Sequence, residues 1–285
     1  MPRSVFNMKK KNFFITGLIA VLAFLFVWSF VPKNRGKNLV RLSLVSENAF
    51  DRFYFIQLVL NGTELSFEKD GIWWIYENGG KVPANQERLE LLWKELSKKR
   101  DYNLLEKDAA SSKSKEYYFE DGNTFSISWL DFDGNSEEIV FGKSDFAGTS
   151  RTLCYGNRIY QVSGFNENVL STSFQYWCEG EILSKEIKVL EAKNVQNAFL
   201  NGKTVDLESE IITKLFNLRY SGSLPEGNYA EKDKLVLYFG NGSEVVITGL
   251  DIGSEYNYGL RINIDGIEYL ASVSVWTYEK IFLNE

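Results

Sequence analysis

Apolar and polar positions alternate at short range through most of this chain, with one long exception near its start. Phe13 to Val31 runs nineteen residues without a charge. At the helical rise such a run extends about 28 Å, close to the thickness of a bilayer's hydrocarbon core, so the pattern predicts a transmembrane helix. After Pro32 to Lys37 the period shortens. Arg41 to Leu60 is apolar in patches at Leu42, Leu44, Phe53, Phe55, Leu58 and Leu60, and its last part alternates as a strand does. Asn61-Gly62 gives a two-residue hairpin signal before Leu65 to Glu68 resumes the alternation; Lys69-Asp70-Gly71 turns again into Ile72 to Tyr76.

Leu89, Leu92, Trp93 and Leu96 then fall at i, i+3, i+4 and i+7 behind Pro83-Ala84-Asn85. This spacing predicts an amphipathic helix capped by Asn85, with one side packed on the sheet. Asp108 to Lys115 lacks periodicity and reads as an exposed loop. Short strands are expected at Glu116–Phe119, Thr124–Phe132, Glu137–Phe141, Thr152–Tyr155 and Arg158–Val162, separated by turns at Asp121-Gly122, Asp133-Gly134-Asn135 and Gly156-Asn157.

The pattern then repeats. Lys203 to Asp206 leads into Ile211, Ile212, Leu215 and Leu218 as Lys81 to Ala84 led into the first helix, and Leu235 to Val275 copies the earlier meander with turns at Asn241-Gly242-Ser243 and Asp265-Gly266. The offset is 122 residues from Leu89 to Ile211 and 108 from Gly134 to Gly242, a drift assigned to an extra loop at Asp101 to Lys115. A period this long points to a duplicated domain. The fold class expected is α+β: one transmembrane helix, then two related lobes, each an antiparallel β-meander with one amphipathic helix. The boundaries are a tail at 1–12, an anchor at 13–31, a linker at 32–38, and lobes at 39–180 and 181–285.

Arg3 and Lys9 to Lys11 supply a basic segment ahead of the apolar run, which ends Val27-Trp28-Ser29-Phe30-Val31-Pro32, without the small residues a cleavage site needs. The run is therefore expected to stay as an anchor. Lys33, Arg35, Lys37 and Arg41 balance the upstream charges, so the count of positive residues gives no direction. The short upstream tail and the long downstream part favour an inside N-terminus, because long C-terminal domains translocate largely regardless of charge. The location expected is a bacterial cytoplasmic (inner) membrane, crossed once, with the C-terminal part extracytoplasmic.

A net charge of −6, with 25% charged and 15% aromatic residues, describes a folded, mildly acidic outer part and argues against nucleic acid as a partner. Histidine is absent, which excludes Ser-His-Asp, Cys-His and histidine-based zinc chemistry. Cys154 and Cys178 are too few for a zinc site; a disulfide and two free thiols both remain open.

Candidate chemistry is sparse. Asp131-Phe132-Asp133-Gly134-Asn135, followed by Glu137 and Glu138, superficially resembles a calcium loop, but the EF-hand spacing is not met and strands flank it, so a hairpin turn is the better reading. The carboxylate pairs Glu120/Asp121, Glu137/Glu138 and Glu179/Glu181 could serve a glycosidase only if held across a cleft, which spacing along a strand does not establish. Trp73 and Trp74 face opposite ways on a strand, so one can be core while the other is exposed, marking a contact surface, or packed on the partner lobe. Phe174-Gln175-Tyr176-Trp177 is a second aromatic cluster. Asn61-Gly62-Thr63 and Asn241-Gly242-Ser243 match the glycosylation sequon, yet both stand where a hairpin needs Asn-Gly. No catalytic, cofactor-binding or metal-ligating residue is assigned, and no enzyme is expected.

Leu65 to Trp73, then Val82-Pro83-Ala84-Asn85 before the helix, resemble the bacterial membrane-anchored proteins grouped as domain of unknown function 4340. Ile139 to Gly142, Asn157 to Val162 and Phe174 to Leu183 continue the resemblance over most of Phe53 to Val189. Some members of that family are similar to the auxiliary component of ABC transport systems linked to gliding motility. The resemblance implies a non-enzymatic envelope protein docking with integral membrane partners such as ABC transporter subunits; it supplies no catalytic residues, and the chain carries no nucleotide-binding motif. The alternative is an extracytoplasmic binding module for an envelope glycan, lipid or peptide.

Overall fold

The computed structural model describes residues 38–283 apart from 61, 111–113, 118, 120–123 and 209. The expected anchor at Phe13–Val31, its tail and most of the linker lie outside the described residues. Among the described residues no helix is long and apolar enough to cross a membrane.

The chain from Arg41 onward forms one compact unit built on two antiparallel sheets. The first holds β1 (Leu39–Leu42), β2 (Phe53–Leu60), β3 (Thr63–Asp70), β4 (Ile72–Glu77), β5 (Gly80–Pro83), β6 (Arg100–Glu106), β7 (Phe125–Asp131), β8 (Ser136–Ser144), β9 (Ser150–Tyr155) and β10 (Arg158–Ser163), in the order β1-β6-β10-β9-β8-β7-β2-β3-β4-β5. The helix α1 (Gln86–Ser97) comes between β5 and β6. The second sheet holds β11 (Val195–Leu200), β12 (Lys203–Thr204), β13 (Gly222–Ser223), β14 (Ala230–Phe239), β15 (Glu244–Asp251), β16 (Asn257–Ile264) and β17 (Ile267–Ser274), in the order β12-β11-β14-β15-β16-β17-β13. Two short helices, α2 (Phe174–Trp177) and α3 (Glu210–Leu215), and the C-terminal α4 (Val275–Phe282) complete the fold.

The two orders follow one path. In each, an opening hairpin (β2-β3 or β11-β12) precedes a helix, and the next strand (β6 or β13) crosses to the far side of the sheet. A four-strand meander (β7–β10 or β14–β17) then runs back to it from the opening strand. Strands β4 and β5 have no counterpart in the second sheet.

Alternation decides which face is buried. Along β7, Phe125, Ile127, Trp129 and Asp131 point inward while Ser126, Ser128 and Leu130 are half-exposed. α1 forms where the spacing places it, with the Asn85 side chain accepting the Arg88 N–H at 3.0 Å, and its buried Leu89, Leu92, Trp93 and Leu96 face the sheet. Trp93 sits 4.5 Å from Phe53 and 5.5 Å from Trp129, centroid to centroid. The incoming segment is tied to the same helix: Leu44 N donates to Leu96 O at 3.1 Å, and Trp93 Nε1 donates to Ser46 O at 3.0 Å.

Four local expectations are corrected. Arg100–Glu106 is a strand, so the loop begins after Glu106; its pairing partner β10 lies far along the chain and leaves no local signal. Glu116–Phe119 is not a strand: a 3-10 turn occupies Ser114–Tyr117, and Tyr117 O crosses over Gly142, where a Cβ would lie 2.4 Å from it. The second helix ends at Leu215. The run to Val275 is interrupted after Ser274, whose hydroxyl accepts the Thr277 N–H at 3.2 Å and starts α4.

Candidate functional site

The two sheets meet edge to edge, and this seam with its connector holds the buried polar residues Glu179, Ser184 and Ser223. β5 and β4 of the first sheet lie against β13 and β17 of the second, with an antiparallel bridge between Gly80 and Pro225. Ser223 Oγ donates to Glu77 O at 2.6 Å. Only glycine fits position 80, because an added Cβ would stand 2.0 Å from Leu224 O and 2.4 Å from its carbonyl carbon.

The connector between the sheets is stitched to both. On one side Asn85 N donates to Trp177 O at 2.7 Å and Glu179 N to Pro83 O at 3.0 Å; on the other Tyr220 N donates to Gly180 O at 2.9 Å and Ile182 N to Leu218 O at 3.1 Å. Two buried tyrosines close the joint. Tyr220 Oη accepts from Gly180 N at 3.0 Å and donates to Pro83 O at 3.3 Å, and Tyr269 Oη donates to Ile182 O at 2.6 Å. Burial, before any neighbouring charge, pushes both phenols well above their ordinary range.

Glu179 sits in the middle of this joint at 6% exposure. Its carboxylate accepts from two backbone N–H groups, Glu181 at 3.0 Å and Lys185 at 3.4 Å. The guanidinium of Arg219 turns instead to Glu179's carbonyl oxygen, 2.8 Å away, and lies over Gly180, whose φ of +84° no side chain would favour. Burial first, then the charge of Glu181, raises the Glu179 carboxyl to about 7. Burial also raises Glu77 and Glu186. Of the pair Glu179/Glu181, one carboxyl is thus enclosed, while the other reaches Lys185 Nζ at 2.8 Å.

The remaining candidates are dispersed. Asp131 keeps its oxygens for its own turn, accepting from Asp133 N at 3.0 Å, Asn135 N at 2.8 Å and Asn135 Nδ2 at 2.9 Å. The Asn135 side chain is the main reason that its carboxyl lies below the usual range. Arg52 pairs with Asp133 at 2.8 Å, so the segment is a locked hairpin. Glu137 and Glu138 are exposed neighbours on β8, with Glu137 accepting from Tyr155 Oη at 3.0 Å. Glu120 and Asp121 lie outside the described residues. Among the described residues no cluster of three His, Cys, Asp or Glu side chains is placed to hold a metal ion. Cys154 and Cys178 are both free thiols, the first half-buried and the second buried.

Trp73 and Trp74 are both buried, so neither is the exposed contact that the alternation allowed. Trp73 stacks under Phe50 at 5.7 Å. Trp74 packs toward the second sheet, 6.3 Å from Tyr269, with Lys81 Nζ 4.9 Å from its ring centroid. In α2, Trp177 Nε1 donates to Ser171 O at 2.5 Å, and the Arg88 guanidinium lies over Tyr176 at 4.5 Å. The aromatic cluster therefore ties α1 to the connector.

Two grooves flank these elements. One, of about 880 Å³, lies between Ser43–Glu47, the end of α1 and the β7–β9 edge, with Arg52, Lys94, Lys98, Asp131 and Glu137 on its walls. The other, of about 830 Å³, opens on the seam between Tyr76, Lys81, Pro225, Arg261 and Glu268. The sequence singled out Glu179 only as half of an acidic pair. Tyr220, Tyr269, Arg219 and Gly80 carried no local signal, because their partners lie 40 or more residues away. No family model matches this chain, and no curated protein or solved structure matches it either.

Proposed function

We propose that this protein is a non-enzymatic, membrane-anchored extracytoplasmic docking component, whose outer part is a duplicated module that engages integral membrane partners such as the subunits of an ABC-type assembly. The observation that carries this reading is the seam: two sheets of one strand order, fastened backbone to backbone, make a stiff body whose contacts can be placed on a partner without first ordering a hinge. The uncharged run Phe13–Val31, the basic residues ahead of it and the resemblance over Phe53 to Val189 support the anchor and the envelope setting. Exposed apolar side chains suited to contact are Trp276, at 61% exposure, with Tyr256 and Phe146.

A photo-crosslinking residue placed at Trp276 or Phe146 in intact cells should capture integral membrane proteins, and the chain should stay with membranes after a carbonate wash. A reporter active only outside the cytoplasm, fused after Glu285, should be active. Release by carbonate or a silent reporter overturns the anchor. Retention with no captured membrane protein overturns the docking role and leaves the binding-module reading, for which the 830 Å³ groove beside Lys81 and Arg261 is the site to probe.

A further inference from the structure

The connector holds a carboxyl in a place where ionisation is opposed from several sides. Glu179 is buried and no cation reaches it within ion-pair distance among the described residues; the N–H groups of Glu181 and Lys185 that its oxygens accept from favour the charged form and offset only part of the burial. Facing it from the connector itself are Cys178, Glu181, Lys185 and Glu186, with Lys185 engaged by Glu181. From the segment after α3 come Arg219, bonded to the backbone carbonyl, and the Tyr220 phenol; from β17 comes the Tyr269 phenol. Across Cys178, Glu77 on β4 adds a further acid. A carboxylate placed here is a buried charge with no cation beside it, only partly compensated by those two N–H groups, and swinging residues 179–186 outward is the move that hydrates it.

We propose that Glu179 is a proton-operated latch on the joint between the two sheets: protonated, it leaves the connector stitched to Pro83 and to Leu218–Tyr220, and ionised, it loosens those stitches.

The direction follows from linkage. The carboxyl titrates near 7 in the closed joint and near the ordinary glutamate value, about 4.3, once hydrated, so the closed state binds the extra proton between those limits. Closure is therefore at full strength below the lower value, weakens as pH rises, and levels off above about 7. Between pH 5 and 7.5 the opening constant should rise roughly 50-fold.

Hydrogen exchange of the full-length protein, corrected for intrinsic rates and followed by mass spectrometry from pH 5 to 7.5, reads this directly. Peptides covering 178–188 should lose protection over that range, while β15 serves as an unaffected internal reference. Glu179→Gln should flatten the profile, whereas Glu181→Gln, which removes a charge that helps to raise Glu179, should shift the rise to lower pH without abolishing it. Should Glu179→Gln not fold, Glu179→Met, apolar and of similar length, serves the same end. A flat wild-type profile overturns the latch, as does a wild-type rise that persists unchanged when Glu179 is replaced.

Discussion

Replacing Gly80 with alanine tests whether the seam holds the two sheets together. Gly80 is buried and has an ordinary negative φ, so alanine meets no backbone strain there; the cost is steric alone. The new Cβ would lie 2.0 Å from Leu224 O, 2.4 Å from its carbonyl carbon and 2.9 Å from its nitrogen, all backbone atoms that no rotamer change can move. β5 and residues 222–225 must therefore part. Overpacking of this kind costs about 1–3 kcal/mol. Parting also strains the Gly80–Pro225 bridge and the 2.6 Å bond from Ser223 to Glu77 O, and a buried group left unsatisfied adds about 1–3 kcal/mol. A total near 4 kcal/mol should lower the calorimetric Tm by roughly 10 °C. Gly62→Ala is the control: its φ of +79° brings strain, but nothing lies within 4 Å of the added carbon, so about 1–2 kcal/mol is expected. A Gly80→Ala Tm within 2 °C of the wild type, or a larger loss for Gly62→Ala, refutes the seam as a close backbone contact.

Tyr220→Phe removes the hydroxyl shared by Gly180 N and Pro83 O and should cost about 1–3 kcal/mol in denaturant titration; no loss would mean that water replaces it freely. Asp145 is held at about 2, chiefly by the Thr149 hydroxyl. Its bonds should fix the 145–150 loop above the ordinary aspartate value and release it as pH falls through about 2, and Asp145→Asn should already raise amide exchange in that loop at neutral pH. Burial lifts the Cys178 thiol to about 11, so a maleimide should label half-buried Cys154 well before Cys178 in the native protein, and equal rates would contradict the packing around α2.

The turns and the first helix were legible because their signals are local. Gly62, Gly134, Gly242 and Gly266 all take the positive φ that their hairpins require, and α1 starts at Asn85 with the expected apolar face. β6 and β13 were not legible: each is defined by a partner strand, β10 or β17, far away in sequence. The seam was illegible for the same reason, since nothing in Asn78-Gly79-Gly80-Lys81 distinguishes a glycine demanded by a turn from one demanded by the carbonyl of Leu224. Glu179 was visible as an acid, but its enclosure by Tyr220, Tyr269 and Arg219 depends on both sheets being in place. Of α4, only Val275 falls in the expected strand, because it extends the β17 pattern, while the Ser274 cap that stops it is a single residue.

The path shared by the two sheets has a kinetic consequence. In each, the strand that follows the helix lies beside the last strand of the meander, so the sheet is finished by its latest-made piece. For a nascent chain emerging from its N-terminus, the first sheet has all its strands once Ser163 is out, yet its β5 edge is covered only at Pro83 when the connector arrives and stays bare at Gly80 until residues 222–225 follow. Tyr269, which ties Ile182, comes later still on β17. Folding is thereby weighted toward long-range contacts and toward a slow final step. During that interval the uncovered β5 edge is the part of the molecule most open to pairing with another chain.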